Sequence, residues 1–192
     1  GASVMLTYSV GREDAARVAK EISVQRPAPT ICAYNVLEGT ASSAMREFLS
    51  NVTHVYCLAS PTIARSDSKQ WNPALFTHYC DFYISGLASL LQQVKQHADA
   101  NADIGLFMPS TVFLDNSSES TRGFEEYVVA KAAAEAFIDS FVKENRNWHA
   151  SAPRLPRLLT DQTSGIKNLD ETQTPEVIVG HLRGAIRQSQ HV

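Results

Sequence analysis

Two side chains in the second half of the chain have the types and spacing of an acid/base pair. Tyr127 and Lys131 are four residues apart in a predicted helix, so their side chains lie on one face. An ammonium close to a phenol favours the phenolate and lowers the phenol's pKa from about 10 towards neutrality. Such a tyrosine can exchange a proton with a substrate oxygen. A hydroxyl from Ser110 or Thr111, which end the preceding strand, is placed to hold that oxygen.

The elements that must position this pair alternate along the chain. Short apolar runs of the kind typical of strands lie at residues 3–8, 30–36, 55–59, 104–108 and 148–152. Runs with helical periodicity lie between them, at residues 13–24, about 74–97 and 124–145, with a shorter helix after Ser42 and a last one after Pro175. Parallel strands joined by helices form a sheet that is covered on both faces. The sequence predicts a single α/β domain over residues 1–192, a three-layer, doubly wound parallel sheet with a site at the carboxyl ends of its strands.

Composition excludes several function classes. The chain has 192 residues and a formal net charge of -3, whereas nucleic-acid and membrane-surface binding both need a basic surface. No apolar run approaches the roughly 20 residues that cross a bilayer. Cys32, Cys57 and Cys80 form no CxxC pair, and we expect free thiols in a reducing, cytoplasmic protein. Because neither cysteines nor histidines have metal-ligand spacing, no metal site is predicted.

The segments around the pair resemble one enzyme family. Residues 104–110, followed by Tyr127-Val128-Val129-Ala130-Lys131, resemble the catalytic segment of the short-chain dehydrogenase/reductase family. Residues 55–60 look like the family's strand that ends in Asn-Asn-Ala-Gly. Residues 148–154 look like its next strand, whose Pro-Gly turn lines the nicotinamide side of the cofactor. The resemblance covers most of the chain from Thr30 onward and implies a Rossmann-like fold.

The resemblance also implies roles for single residues. Tyr127 would be the general acid/base, and Lys131 would lower its pKa and hold the nicotinamide ribose. Ser110 would orient the substrate carbonyl, with Thr111 as its substitute, although the gap from Ser110 to Tyr127 is longer than is usual in the family. The positions that would contact the cofactor are Gly11, Arg12, Ala59 and Pro153.

The first half of the chain departs from the family where the dinucleotide should bind. The family's glycine-rich turn lets bare backbone approach the pyrophosphate at a helix N-terminus. Tyr8, Arg12 and Asp14 stand at the three glycine positions here, and Gly11 is out of register. These side chains should block the approach, and Glu13 with Asp14 should repel a phosphate. Arg12 is either a solvated arginine or a contact to a phosphate.

A second departure is the loss of one strand and its helix. Residues 30–36 resemble the family's third strand, so the strand that carries the ribose-reading residue is missing. The sheet is then expected to be truncated to about five strands, possibly in the order 2-1-3-4-5 of flavodoxin-like proteins. Because no Ser/Thr-rich phosphate loop follows the first strand, FMN is not favoured. Ser60 replaces the glycine that lets the cofactor pass, and Tyr83 or a neighbour replaces the catalytic asparagine.

Two functions remain open at this point, besides a different chemistry at the same pocket such as cofactor-free acid/base catalysis by Tyr127. The first is a degenerate homologue that has lost NAD(P) binding, needs no cofactor and serves as a binding or scaffold domain, for example in a polyketide or fatty-acid type pathway. The alternative is an active NADP(H)-dependent oxidoreductase that reduces a carbonyl substrate through Tyr127. The expected partners are a small-molecule ligand and a second copy or another protein bound through the long helices, with no nucleic acid and no membrane.

Overall fold

The computed structural model of the chain describes residues 2–66, 70–115, 121–158, 160 and 176–188, with the backbone alone at 177 and 185–188. These residues form two compact units. One comprises Gly1–Val52 with Gly86–Ala100, and the other comprises Thr53–Ser85 with Asn101–Val192. That the whole chain is a single domain stays a prediction.

Strands and helices alternate through the described chain, as the sequence predicts. In chain order they are β1 (Met5–Tyr8), α1 (Arg12–Ser23), β2 (Thr30–Ala33), α2 (Ser43–Leu49), β3 (His54–Tyr56), α3 (Pro73–Cys80), α4 (Leu87–His97), β4 (Ile104–Phe107), β5 (Ser110–Thr111), α5 (Glu125–Glu144), β6 (Trp148–Ser151), β7 (Arg154–Leu155) and α6 (Glu176–Gln188). The fold is therefore of the α/β class.

The first unit is a parallel strand pair with helices. β1 pairs with β2, with Leu6 opposite Ile31, and α1 connects the two strands. α2 begins at the predicted cap, because the Ser42 side chain accepts a hydrogen bond of 3.2 Å from the amide of Met45. The buried side chains of Met45 and Leu49 lie on α2, which packs against α4 of the same unit.

The second unit contains a three-stranded parallel sheet with β4 at its centre. β3 and β6 pair with the two sides of β4, and all four residues of β4 are buried. The continuous apolar run of residues 104–108 predicts such a central strand. α5 and α6 both pack against β6. The strand orders within the two units are the two parts of the order 2-1-3-4-5, and the pairing that would join them stays a prediction.

Two details differ from the prediction. The helix predicted over residues 74–97 is divided by a π-helical turn, Asp81–Gly86, between α3 and α4. A short parallel pair, β5 with β7, was not predicted, because two-residue strands leave no apolar periodicity in a sequence. This pair holds Ser110 and Thr111 immediately beyond the end of β4.

The structure also bears on the membrane, metal and thiol predictions. No helix of the described chain is long and apolar enough to cross a membrane. The described residues contain no group of three His, Cys, Asp or Glu side chains that could hold a metal ion. The three cysteines are free, and burial raises the pKa of the Cys57 thiol to about 12, so it is not a reactive thiolate.

Candidate functional site

The second unit brings most of the predicted site residues together. Tyr127 and Lys131 lie on the buried face of α5, as their spacing predicts. Ser110 and Thr111 form β5, and the Ser110 amide donates a hydrogen bond of 2.8 Å to the carbonyl of Pro153. The residues assigned to acid/base chemistry therefore share one region of this unit.

Tyr127 is enclosed by other tyrosines. Its side chain is only 7% exposed, and its ring meets those of Tyr79 and Tyr83 edge-on, at centroid distances of 5.6 Å and 5.9 Å. Burial raises the pKa of Tyr127 to about 12, against a lowering effect from a hydrogen bond with the Thr111 hydroxyl. The phenol is thus held in its neutral form at physiological pH.

Lys131 is engaged by groups of the protein itself. Its Nζ donates a hydrogen bond of 2.6 Å to the carbonyl of Pro109 and lies 4.2 Å from the centroid of the Tyr83 ring. The residue is 6% exposed. Burial lowers the pKa of Lys131 to about 8, and the carboxylate of Glu135 opposes this shift.

The prediction that Lys131 lowers the pKa of Tyr127 is wrong. The pKa of Tyr127 moves upwards, because desolvation of the phenolate outweighs the favourable interactions around it. The ammonium of Lys131 is directed to Pro109 and to the face of Tyr83, and burial is the largest influence on the pKa of Tyr127. Four-residue spacing places two side chains on one face, but it does not determine which atoms they contact.

Thr111, the predicted substitute, provides the hydroxyl next to Tyr127. Its hydroxyl lies near enough to Tyr127 to lower the pKa of that phenol, and it accepts a hydrogen bond from the amide of Phe113 at 3.3 Å. Ser110 lies beside Glu135 and helps to lower the pKa of that carboxyl, but its buried Oγ makes no hydrogen bond of normal geometry within the described chain. β5 therefore directs Thr111 rather than Ser110 to the tyrosine.

The two hydroxyls can be distinguished by mutation. We expect Thr111→Val to raise the pKa of Tyr127 further, because the hydrogen bond that favours the phenolate is lost. Titration of the Tyr127 Cζ resonance by ¹³C NMR measures this value directly. Ser110→Ala is the matched control and should leave it unchanged. A shift caused by Ser110→Ala alone would reverse the assignment.

Tyr83 occupies the region where the resemblance places an asparagine. Its hydroxyl shares a hydrogen bond of 2.6 Å with Ser60 Oγ, and burial raises its pKa far above the ordinary value. Its ring covers Lys131 and stacks on Tyr79 at a centroid distance of 6.2 Å. Sequence reasoning did not identify this covering role, although the four-residue spacing of Tyr79 and Tyr83 was a usable signal.

Residues 60–66 form a loop that is hydrogen-bonded to the cluster formed by Tyr79, Tyr83 and Tyr127; we call this loop the strap. Its first residue, Ser60, is held by Tyr83. Three further hydrogen bonds hold the rest: Ala64 N to Tyr79 Oη (3.2 Å), Arg65 Nε to the Arg122 carbonyl (3.2 Å) and Ser66 N to the Gly123 carbonyl (2.7 Å). The strap is thus attached both to the tyrosines and to the turn before α5.

A buried carboxylate anchors the chain between the strap and α3. Glu126 is 2% exposed, and its Oε1 accepts a hydrogen bond from the amide of Asn72. The Asn72 side chain in turn caps α3 by accepting from the amide of Leu75 at 3.1 Å. Oε2 of Glu126 is buried with no hydrogen-bond partner in the described part of the chain. Sequence reasoning missed this residue, because a glutamate in a first helical turn is usually exposed.

Arg154 stands where the family's Pro-Gly turn has its glycine. Its guanidinium donates two hydrogen bonds to Glu135, at 3.1 Å and 2.7 Å, and one to Asp115. These contacts lower the pKa of Glu135. The negative charge of Glu135 favours the protonated form of Lys131, but burial has the larger effect on the pKa of Lys131. The turn is therefore an ion-pair network rather than bare backbone.

Four residues are predicted to contact the cofactor: Gly11, Arg12, Ala59 and Pro153. Ala59 is exposed, and Pro153 is half-buried with its carbonyl bonded to Ser110. Gly11 and Arg12 belong to the first unit, where Gly11 precedes α1 and Arg12 is exposed. The φ of Gly11 is −83°, and a Cβ added there would meet only ordinary contacts, at 3.7 Å and beyond. Nothing in the local backbone therefore requires a glycine at this turn.

These residues do not fit a dinucleotide cofactor. The positive-φ glycines of the described chain are Gly39 and Gly123, and neither lies in the turn between β1 and α1. The first turn of α1 carries two acidic side chains, and of these Asp14 is paired with Arg17 at 3.3 Å, whereas no ion pair joins Glu13 to another described residue. In the second unit, the ammonium that the resemblance assigns to the nicotinamide ribose is already bonded within the protein.

Solved structures share this fold. A short-chain dehydrogenase from Salmonella enterica serovar Typhi matches with a TM-score of 0.74 and 17% identity, over 94% of this chain and 77% of its own. An alcohol dehydrogenase from Thermococcus sibiricus, complexed with 5-hydroxy-NADP, matches with a TM-score of 0.77 and 13% identity, over 96% of this chain and 80% of its own.

A third similar structure carries a cofactor. It is a short-chain dehydrogenase from Escherichia coli CFT073, complexed with NADPH, with a TM-score of 0.75 and 16% identity over 94% of this chain and 78% of its own. No protein-family model and no curated protein matches the chain. At these identities the similarity establishes the Rossmann-like fold of short-chain dehydrogenases.

Proposed function

We propose that this chain is a truncated short-chain dehydrogenase/reductase homologue that keeps the Tyr127 and Lys131 pair but does not bind NAD(P). It acts as a binding or scaffold domain in the cytoplasm, for example within a polyketide or fatty-acid type pathway. Its partners are a small molecule, or a protein or second copy bound through the long helices. The proposal rests on the fold and on the surroundings of Tyr127 and Lys131.

The observation that carries the proposal is the set of contacts that Lys131 makes within the protein. A lysine that binds a ribose needs N–H groups directed at that ligand and a path by which the ligand can reach them. Nζ of Lys131 donates one of its three N–H groups to Pro109 and faces the ring of Tyr83, and the burial of the residue restricts a ligand's access to the other two. Before the ammonium of Lys131 can bind a ligand through this N–H group, a charge-assisted hydrogen bond inside a low-dielectric region must break. That cost weakens the binding of the ligand.

The neutral state of Tyr127 supports the same proposal. A general base has to be ionised for part of the time near the working pH, and a pKa of about 12 leaves almost no phenolate there. The raised value follows from burial among Tyr79 and Tyr83, which the strap covers. The second unit thus stabilises a closed tyrosine cluster rather than an open acid/base site.

A second candidate, an active NADP(H)-dependent oxidoreductase, is favoured by two observations. Two of the similar structures were solved with NADPH or 5-hydroxy-NADP, and this chain keeps a hydroxyl–tyrosine contact through Thr111. In that case a neutral Tyr127 would donate a proton to a carbonyl oxygen, and the nucleotide would supply the hydride. The two candidates differ in nucleotide binding.

Thermal unfolding in the presence of nucleotides tests the proposal. A ligand at 100 times its Kd stabilises a protein by about 2.7 kcal/mol, which a melting curve resolves. We expect NADPH, NADP⁺, NADH and NAD⁺ to leave the Tm of this chain unchanged. The Escherichia coli dehydrogenase solved with NADPH serves as the positive control. A saturable rise in Tm with any of the four nucleotides would favour the oxidoreductase instead.

A further inference from the structure

We propose that an open cleft in the first unit binds a small oxyanion, that is, a molecule with a phosphate or carboxylate group. The cleft has a volume of about 440 Å³, which is within the range of small-molecule sites. Arg46 of α2 lines one side, and Gln93, Gln96 and His97 of α4 line the other. This site is independent of the tyrosine cluster and of the proposed function.

The wall of the cleft is formed by a turn that closely approaches α4. Gly39 has a φ of +65°, and a Cβ added there would lie 3.0 Å from the Cβ of Ser89. The turn is held by Asn35, whose carbonyl accepts from the Gly39 amide at 3.0 Å and whose side chain accepts from the Leu37 amide at 3.1 Å. The cleft is therefore preformed, and a ligand need not order it.

The position of Arg46 selects the class of ligand. The residue is exposed, and its Nη1 donates a hydrogen bond of 2.6 Å to the carbonyl of Ala41, which places the guanidinium at the edge of the cleft. A guanidinium has five N–H donors, and this contact accounts for one of them. Its planar fork matches the oxygens of a phosphate or carboxylate.

The other lining groups are compatible with an anion. Gln93 and Gln96 supply amide donors, and none of the lining residues in the described chain is acidic. The cleft includes the last turn of α4, where the free carbonyls of a helix disfavour negative charge. Lys95 and His97 are basic groups in that same turn and offset this effect. A neutral ligand would gain less from Arg46 than an anion, and a cation would be repelled by it.

Titration by two-dimensional NMR tests this site, with inorganic phosphate and succinate as separate probes. We expect at least one probe to shift the amide resonances around residues 39–41 and 93–97 in a saturable manner. Arg46→Gln keeps a polar amide but removes the charge, and it should weaken binding roughly tenfold or more. Which probe binds more tightly distinguishes a phosphate from a carboxylate ligand.

Two variants keep the test specific. Arg46→Lys retains the positive charge without the fork and should give an intermediate Kd. Arg26→Gln removes an exposed arginine that does not line the cleft and should leave the Kd within about twofold of the wild type. The proposal is overturned if neither probe saturates, or if Arg46→Gln binds as tightly as Arg26→Gln.

Discussion

Replacing Gly123 by alanine is expected to lower the free energy of unfolding by about 3 kcal/mol. The φ of Gly123 is +84°, where an L-residue with a Cβ is strained. An added Cβ would also lie 2.7 Å from the carbonyl oxygen of Ser66 and 2.8 Å from Cγ of Arg65. Because the first of these atoms belongs to the backbone of the strap, the strap must move.

Chemical denaturation of both forms measures the loss of stability in Gly123→Ala. Gly11→Ala is a matched control, because its φ is negative and its added Cβ has room, so it should change stability by at most about 0.5 kcal/mol. Lifting the strap should also increase the labelling of Lys131 by an amine-reactive reagent, detected by mass spectrometry. Equal stabilities for the two glycine variants would contradict the role given to the strap.

Lys131→Met is expected to change how stability depends on pH. The pKa of Lys131 is about 8 in the folded chain and about 10.5 when unfolded, so burial of the ammonium costs roughly 3 kcal/mol below pH 8. Between these two values the unfolded state binds more protons, and the stability of the wild type therefore rises with pH. Methionine has no proton to lose, so the difference between the two proteins should change by about 2 kcal/mol from about pH 8 to pH 10.

Urea unfolding of wild type and Lys131→Met at several pH values gives this difference. Tyr127, whose pKa is raised to about 12, contributes a loss of stability above about pH 10, but it is present in both proteins and cancels. Lys143→Met removes an exposed lysine of the same helix and is the control. A wild-type minus Lys131→Met difference that is flat from pH 8 to pH 10 would show that the ammonium is solvated.

The sequence predicts the elements well where a local rule applies. The apolar run at residues 104–108 predicts a central strand, and β4 is buried on both faces. Ser42 caps α2 as expected, and the four-residue spacing of Tyr127 and Lys131 places both on the buried face of α5. Each of these inferences depends on neighbours in the sequence.

The chemistry of the site depends on distant contacts, and there the prediction fails. The direction of the Tyr127 pKa shift is set by burial among tyrosines more than forty residues away along the chain. The choice between Ser110 and Thr111 is set by the two-residue pairing of β5 with β7. Neither contact leaves a periodic pattern in the sequence.

The most direct test of the central claim is calorimetric titration of the wild-type chain with NADPH. Because the ammonium of Lys131 is bonded to Pro109 and covered by Tyr83, and the described turn between β1 and α1 has no positive-φ glycine, we expect no saturable heat at millimolar nucleotide. A one-to-one binding isotherm with a micromolar Kd would contradict the account, because it would require the closed cluster to open for the cofactor.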